Sequence, residues 1–271
     1  MKANTAIGIA GALVVLGLAV ILEGGNPASF INIPAFLIVV GGTGMAVLAS
    51  TSIEAVKRIP ALYKKAIGGS TLHPDVVARQ MIALAEKARR EGLLALEDDI
   101  EQLDDHYTRK GIQLVVDGAD SDLVASVLMS ETDAMAGRHY ENAHVFTLAG
   151  GFAPTLGILG TVMSLVHVLE NLDKPNTLGH SIAGAFLATL FGVGSANLLF
   201  LPVANRLKEL SREELRYREM LLEAVLAIQA GDNPRILAEK LETFVAPAAR
   251  GTANEAPTRA GAREELVEAP A

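Results

Sequence analysis

The chain has no cysteine and no tryptophan among its 271 residues, and it has only four tyrosines. Without cysteine there is no disulfide bond, no cysteine-ligated zinc and no thiol nucleophile. The shortage of Trp and Tyr means that the aromatic belt found at many membrane interfaces is thin. Half of the residues are nevertheless hydrophobic, which is typical of a protein with several membrane spans and a substantial polar part.

Charged side chains are also missing from four long apolar segments. Each segment has roughly 20 or more residues, enough to cross the hydrocarbon core as a helix; they are residues 3–22, 31–53, 145–169 and 178–204. Short links join the first to the second and the third to the fourth, so we predict two transmembrane hairpins. Intramembrane carboxylates usually mark proton or cation pathways. Because these segments contain none, the chain alone cannot bind and release an ion by titration of a side chain.

The first segment, preceded by Lys2, is also similar to a signal peptide. No convincing small-x-small cleavage site precedes the polar turn that follows, and the second apolar segment comes almost at once. We therefore predict a retained first span rather than a cleaved leader.

The positions of the basic residues predict the orientation in the membrane. The two short links contain only one basic residue, Lys174. Basic residues instead follow the second and fourth spans: Lys57, Arg58, Lys64, Lys65, Arg206 and Lys208. By the positive-inside rule, the links lie outside, and both termini and the long middle segment lie in the cytoplasm.

The polar parts of the chain are predicted to be helical. The middle segment, residues 54–144, has apolar residues at helical spacing from Pro74 or Asp75 onward and again over residues 120–140, with a brief strand left open around Leu114. Residues 205–246 continue as an amphipathic extension, in which Asn233 and Pro234 begin a new helix. Residues 247–271 lack apolar periodicity and are predicted to be disordered. The fold class is thus an all-α membrane protein with four transmembrane helices in two hairpins and a helical cytoplasmic domain.

Enzymatic chemistry is not predicted. The sequence has no Gly-rich phosphate loop, no paired-carboxylate pocket and no metal-ligand spacing among its six histidines. We therefore expect no catalytic residue, no cofactor and no bound metal. The polar part is acidic, with 13 acidic and five basic residues between positions 86 and 133, which argues against a nucleic-acid partner.

Small and hydroxyl side chains in the third and fourth spans are the strongest candidates for function. One face of the third span carries small residues at steps of three and four, which allow close helix packing: Gly150, Ala153, Gly157, Gly160 and Ser164. Thr161 adjoins this face, and Thr189 lies at the middle of the fourth span. Such threonines are either helix-packing contacts or part of an ion pathway. Pro154 removes one backbone donor and predicts a bend.

Charged residues in the middle segment suggest a docking surface or an ordinary solvated helix face. In a continuous helix, Arg90 and Glu97 fall on nearly the same face, and Glu86 and Arg90 are spaced for an ion pair. Spacing alone favours the solvated face.

The segment KARREGLLALED, residues 87–98, resembles the MotA/PomA family, the A-subunits of flagellar motor stators. Further segments resemble the family in the same order along the chain: residues 33–44, 110–120, 153–166, 188–208 and 227–241. Only the tail after about Val245 is not covered.

The resemblance implies a stator subunit of the bacterial cytoplasmic membrane. Five such chains are expected to form a ring around a dimer of a MotB/PomB-type subunit, whose single transmembrane helix supplies an ion-binding Asp. Ion flow then turns the ring and passes torque to the rotor protein FliG. The resemblance assigns the matching residues as follows: rotor binding to Arg89, Arg90, Glu97 and Asp98, coupling to Pro154 and Pro202, and the ion pathway to Thr161, Ala188 and Thr189.

The resemblance also predicts the ion. Sodium-type relatives tend to have Thr-Thr where this chain has Ala188 and Thr189, and a missing hydroxyl removes one hard oxygen ligand for Na⁺. We therefore expect H⁺ as the transported cation, with Na⁺ as the alternative. Two rival functions are an ExbB/TolQ-type energiser, which has three spans, and a membrane scaffold in which the hydroxyls only pack.

Overall fold

The computed structural model describes residues 4–69, 72–173 and 175–245, and the predicted disordered tail at residues 247–271 lies outside them. This part of the chain folds into helices and turns, with no β-strand. The helices are α1 (Asn4–Leu22), α2 (Ile33–Ser50), α3 (Ile53–Lys57), α4 (Ile59–Gly68), α5 (Pro74–Glu91), α6 (Glu97–Ile100), α7 (His106–Val116), α8 (Ser121–Glu170), α9 (Pro175–Ser195), α10 (Leu201–Ala230) and α11 (Pro234–Glu242).

Four helices are long and apolar enough to cross a membrane. They are α1, α2, the second part of α8, and α9 with the start of α10. The predicted all-α fold with four membrane-spanning helices is therefore confirmed. The third span does not begin at a helix boundary, because α8 runs through it as one helix of 50 residues.

Gly, Asn and Pro residues form the link of the first hairpin and the start of its second helix. Gly24 has a positive φ of 76°, and a 3₁₀ turn over Pro27–Phe30 follows. The Asn32 side chain accepts a hydrogen bond of 3.0 Å from the backbone N–H of Ala35 and so caps α2. Pro34 occupies the first turn of α2, where its missing N–H costs no helical hydrogen bond.

Two π-helical turns interrupt the spans. One occupies Leu37–Gly41 within α2, and the other, Ala196–Phe200, connects α9 to α10. Pro202 lies two residues beyond the second π turn. By contrast, Pro154 lies inside α8, which is assigned as α-helix over its whole length.

The chain forms two compact units, and the first comprises residues 1–70 and 136–212. This unit contains all four candidate spans. One of its cores joins α4, α8 and α10 through Leu62, Phe146 and Val203. Tyr63 packs edge-on against Phe146 with ring centroids 5.1 Å apart.

The second unit comprises residues 71–135 and 213–271. Its core contains large, fully buried side chains from α5, α7, α8, α10 and α11: Met81, Tyr107, Leu128, Met220, Leu221 and Leu237. Arg218 stacks over the Tyr107 ring at 4.4 Å from the centroid. Burial raises the pKa of Tyr217 to about 12, so this side chain stays neutral inside the core.

Two local predictions for the polar part can be compared with the second unit. The alternative prediction of a brief strand around Leu114 is wrong, because Leu114 lies in helix α7. The break after α10 is confirmed, since Gly231 has a positive φ of 70° and Asn233 caps α11 through its side chain.

Candidate functional site

The backbones of α8 and α9 are in direct contact. A Cβ built on Gly157 would lie 2.8 Å from the carbonyl oxygen of Ala188, and one built on Gly192 would lie 2.6 Å from the carbonyl oxygen of Ala153. Because those neighbours are backbone atoms, a larger side chain cannot be accommodated by rotamer changes. Among the small residues predicted to allow close packing, Ala153 and Gly157 lie at this contact, whereas a Cβ built on Gly150 would meet Leu201 of α10.

The close approach brings two threonine hydroxyls together. Thr161 of α8 and Thr189 of α9 are hydrogen-bonded through their Oγ1 atoms, and both residues are half-buried. The Thr161 Oγ1 also lies 3.0 Å from the Gly157 carbonyl and 2.9 Å from the Ala185 carbonyl. A hydroxyl has one proton, so Thr161 donates to one carbonyl while it accepts from Thr189.

This arrangement forms a short polar link across an apolar helix pair. Hydroxyl and carbonyl oxygens can solvate a hard cation, or the hydroxyls can hydrogen-bond a carboxylate. Neither threonine can exchange a proton at physiological pH, and the described parts of the four spans contain no Asp, Glu, Lys or Arg. Titration of an acidic or basic side chain in the described parts of these spans therefore cannot load and release an ion at this site.

Ala188 faces a different neighbour from Thr189. Its methyl is buried. A Cβ built on Gly160 would lie 2.9 Å from this methyl and 3.3 Å from the side chain of Ile38 in α2. The structure thus brings Thr161 and Thr189 together, but it places the Ala188 side chain in the contact between α8, α9 and α2.

The second span closes around this hairpin at two further points. A Cβ on Gly42 would lie 3.3 Å from Leu156 of α8, and a Cβ on Gly184 of α9 would lie 3.1 Å from the side-chain amide of Asn32. The role of Asn32 beside α9 was not predicted, because its sequence signal indicates only a helix cap.

The charged segment at residues 87–98 is not a continuous helix. Helix α5 ends at Glu91, Gly92 has a positive φ of 89°, and a 3₁₀ turn over Leu93–Leu96 precedes α6. The argument that Arg90 and Glu97 share a helix face is therefore wrong, because it assumed helical rotation through Gly92. The Glu86–Arg90 ion pair is also missing from the salt bridges of the described residues.

The four side chains that the family resemblance assigns to rotor binding are nevertheless accessible to solvent. Arg89, Arg90, Glu97 and Asp98 are all exposed and lie on both sides of the Gly92 turn. The turn is tied by Lys87, whose Nζ lies 2.7 Å from Oδ2 of Asp99. This hydrogen bond raises the pKa of Lys87. Spacing did not predict the Lys87–Asp99 pair, because the two residues are 12 positions apart and meet only through the turn.

Both the sequence and the three-dimensional structure match known proteins. The model of the MotA/TolQ/ExbB proton channel family matches residues 99–220. Motility protein A of Bacillus subtilis is 36% identical over 246 residues, covering 90% of this chain and 91% of the relative. Chemotaxis protein PomA of Vibrio alginolyticus is 32% identical over 90% of this chain and 96% of the relative.

A solved structure of the flagellar MotAB stator complex from Bacillus subtilis contains a chain with the same fold. The two chains superimpose with a TM-score of 0.86 at 35% identity, covering 93% of this chain and 100% of the other. Relatives this similar over nearly their whole length place the chain in the MotA/TolQ/ExbB proton channel family, among its motility protein A members.

Proposed function

We propose that this chain is the ion-conducting A-subunit of a flagellar motor stator. The observation that carries the proposal is the Thr161–Thr189 hydroxyl pair, held between two helices in contact within spans that contain no ionisable side chain. Such a pair can guide an ion, but it needs a carboxylate supplied from outside the chain.

The carboxylate comes from a MotB-type partner with a single transmembrane helix and a membrane Asp. The relative from Bacillus subtilis is described as part of a MotAB complex. In the present chain, α8 and α9 leave large apolar side chains exposed, among them Ile158, Val162 and Phe186. These side chains suit contact with lipid, with neighbouring copies or with the partner helix. We infer a ring of five copies around a partner dimer.

The chain spans the bacterial inner membrane several times, and both termini face the cytoplasm. The basic residues that follow α2, including Lys57 and Lys64, support this orientation, as does Arg206 in α10. The second unit then lies in the cytoplasm. The surface that passes torque to the rotor protein FliG is formed by four exposed residues around the Gly92 turn: Arg89, Arg90, Glu97 and Asp98.

The transported ion is the proton, with sodium as the alternative. Position 188 carries a methyl instead of a hydroxyl, so α9 offers one hard oxygen fewer for Na⁺, although this side chain faces α2 and not the Thr161–Thr189 pair. A proton needs only the partner carboxylate. We further infer that Pro154 and Pro202 couple ion loading to helix movement, and Pro202 lies beside the π turn where the helical hydrogen-bond pattern changes.

The test replaces Thr189 with Val, which removes the hydroxyl at nearly constant volume. A hydrogen bond between membrane helices is worth about 0.6 kcal/mol on average, so we expect ion-driven rotation to slow by about threefold. The matched control is Thr155→Val in the same hairpin, because Thr155 is exposed and, among the described residues, its hydroxyl bonds only the Phe152 carbonyl of its own helix. Motor speed is measured in cells that carry each variant, with sodium present and absent at constant proton motive force.

Full-speed rotation of the Thr189→Val motor would contradict the pathway and favour the scaffold interpretation. An equal loss in the Thr155→Val motor would mean that any lost hydroxyl disturbs the hairpin. Strict sodium dependence of the unmodified motor would overturn the choice of proton but not the stator function.

A further inference from the structure

A cavity of about 630 Å³ lies between the first half of α1 and the region where α10 begins. Thr5, Gly8, Ile9 and Ala12 line it at helical spacing from the α1 side. The cavity remains open because α1 packs loosely, and none of its span is buried. Its volume is within the range of small-molecule and lipid sites, about 300–1,000 Å³.

One end of this cavity is polar and carries an uncompensated cation. Arg206 forms an ion pair with Glu209 at 2.7 Å, which neutralises both groups. Arg212 and Asn205 also line the cavity and are exposed, and within the described chain neither side chain has a hydrogen-bond or ion-pair partner. The polar end therefore offers a guanidinium and an amide to an external anion.

The lining has the length of one membrane leaflet. From Leu198 at the apolar end to Arg212 at the polar end there are 14 residues, or about 21 Å along a helix. Half of a bilayer including its headgroups measures about 20–22 Å. Side chains on a helix tilt toward its N-terminus, so Arg206 and Arg212 point back toward the membrane that α10 leaves.

We propose that this cavity binds an anionic phospholipid of the cytoplasmic leaflet. Its phosphodiester is held by Arg212 and Asn205, and one acyl chain lies along Ile9, Ala12 and Leu198. Basic pockets between membrane helices on the cytoplasmic side are suited to anionic headgroups. The assignment to the cytoplasmic leaflet rests on the orientation proposed above, whereas the binding site itself does not.

A second groove, next to the first cavity, has no basic residue in its lining. This groove, about 500 Å³, continues from Leu198 along the second half of α1 toward Glu23. Its lining is apolar except for Glu23 and Ser195, and it contains no basic residue. An acyl chain fits there, but Glu23 at its end would repel a phosphate group.

The experiment measures lipid binding to the full-length chain, purified in a mild detergent and stripped of lipid. It is titrated with phosphatidylglycerol and, separately, with phosphatidylcholine, and native mass spectrometry counts the bound lipids. Arg212→Gln removes the cation, with Lys64→Gln as a matched control, because Lys64 is an exposed basic residue outside the cavity. Gly8→Leu fills the cavity, with Gly11→Leu as its control, since a Cβ on either glycine meets open space and only Gly8 lines the cavity.

We expect tighter binding of phosphatidylglycerol than of phosphatidylcholine. Arg212→Gln should weaken the phosphatidylglycerol affinity by about fivefold, the effect of one basic residue near an anionic surface. Gly8→Leu should abolish this tight binding, and both controls should keep it. Equal binding of the two lipids, or unchanged binding in Arg212→Gln and Gly8→Leu, would overturn the proposal.

A second copy of the chain is the competing occupant. The chain has no cysteine, so Gly8→Cys introduces a single thiol. Cross-linking of that thiol between neighbouring copies would place protein in the cavity and overturn the lipid assignment. None of these readouts depends on motor rotation, so a failure here is distinct from a failure of the stator proposal.

Discussion

Thr161 and Thr189 form the only hydrogen bond between two side chains of α8 and α9 among the described residues of the spans, and the Thr161 hydroxyl also bonds the Ala185 carbonyl of α9. In membrane proteins a hydrogen bond between helices stabilises by about 0.6 kcal/mol on average. A contribution this small is not what holds the hairpin together. We therefore expect Thr189→Val to fold and assemble normally, which allows its effect on rotation to be interpreted as an effect on conduction.

Glu97 is an exposed residue beside the turn at Gly92. Under the proposed rotor contact, replacing Glu97 with Lys should lower torque strongly, because a reversed charge at a docking interface costs several kcal/mol. Ion conduction and assembly should be unchanged, because Glu97 lies in the second unit and in none of the four candidate spans. Swimming speed and stator recruitment are measured in the same cells.

The matched control for this charge reversal is Glu239→Lys. Glu239 is exposed on α11 of the same unit and forms no ion pair with the described residues. Normal swimming by the Glu97→Lys strain would mean that the segment is an ordinary solvated surface and not a rotor contact. Equal impairment by Glu239→Lys would indicate a nonspecific effect of added positive charge.

Single residues also show what could be read from the sequence. Thr161 and Thr189 were expected to lie on facing helices because both are at mid-span in one hairpin, and the structure brings them together. Their roles remain predictions. Helical rotation could not predict the relative orientation of the Arg90 and Glu97 side chains, because Gly92 adopts a positive φ that ends α5.

At the scale of elements, α8 and α9 are held by glycine contacts more than by hydrogen bonds. Gly157→Ala should destabilise the purified protein by about 1–3 kcal/mol, the cost of overpacking a close contact. The added methyl would meet the carbonyl oxygen of Ala188, which is a backbone atom and cannot rotate away. Thermal unfolding in detergent measures the change.

Gly151→Ala is the control for this effect in the same helix. Gly151 is exposed, and a Cβ there meets nothing within 4 Å. Alanine at such a position should be neutral or stabilise the helix by up to about 1 kcal/mol. The two substitutions therefore have opposite expected signs. Equal stability of the Gly157→Ala protein and the unmodified protein would contradict the close approach of the two backbones.

The elements themselves were largely predictable, but their internal irregularities were not. Apolar runs of sufficient length without charges indicate spans, and Asn32, Asn233 and Gly231 mark helix ends through simple capping chemistry. The π turns at Leu37–Gly41 and Ala196–Phe200 have no such mark, because apolar side chains surround these spans and periodicity carries little information there. The unbroken helix α8 was likewise missed, since the change from polar to apolar residues near position 145 is not a helix breaker.

At the scale of the whole molecule, the distribution of charge determines the proposed mechanism. The chain has a net charge of −8, yet the described residues of its four spans carry no acidic or basic side chain. A charge within the membrane is costly unless it is paired or functional. In the proposed mechanism this chain provides hydroxyls, carbonyls and a closely packed frame, while a companion subunit provides the titratable carboxylate. The absence of charge on which this proposal depends can be read directly from the sequence of the four segments.

Ion flux through the purified assembly tests this division most directly. The full-length chain is reconstituted in vesicles alone and together with its single-span companion, and proton uptake is followed under an imposed membrane potential. Uptake only when the companion is present, and its loss when the membrane Asp of the companion is replaced with Asn, is the predicted result. Proton uptake by the chain alone would contradict the central claim that the companion subunit supplies the titratable group of the pathway.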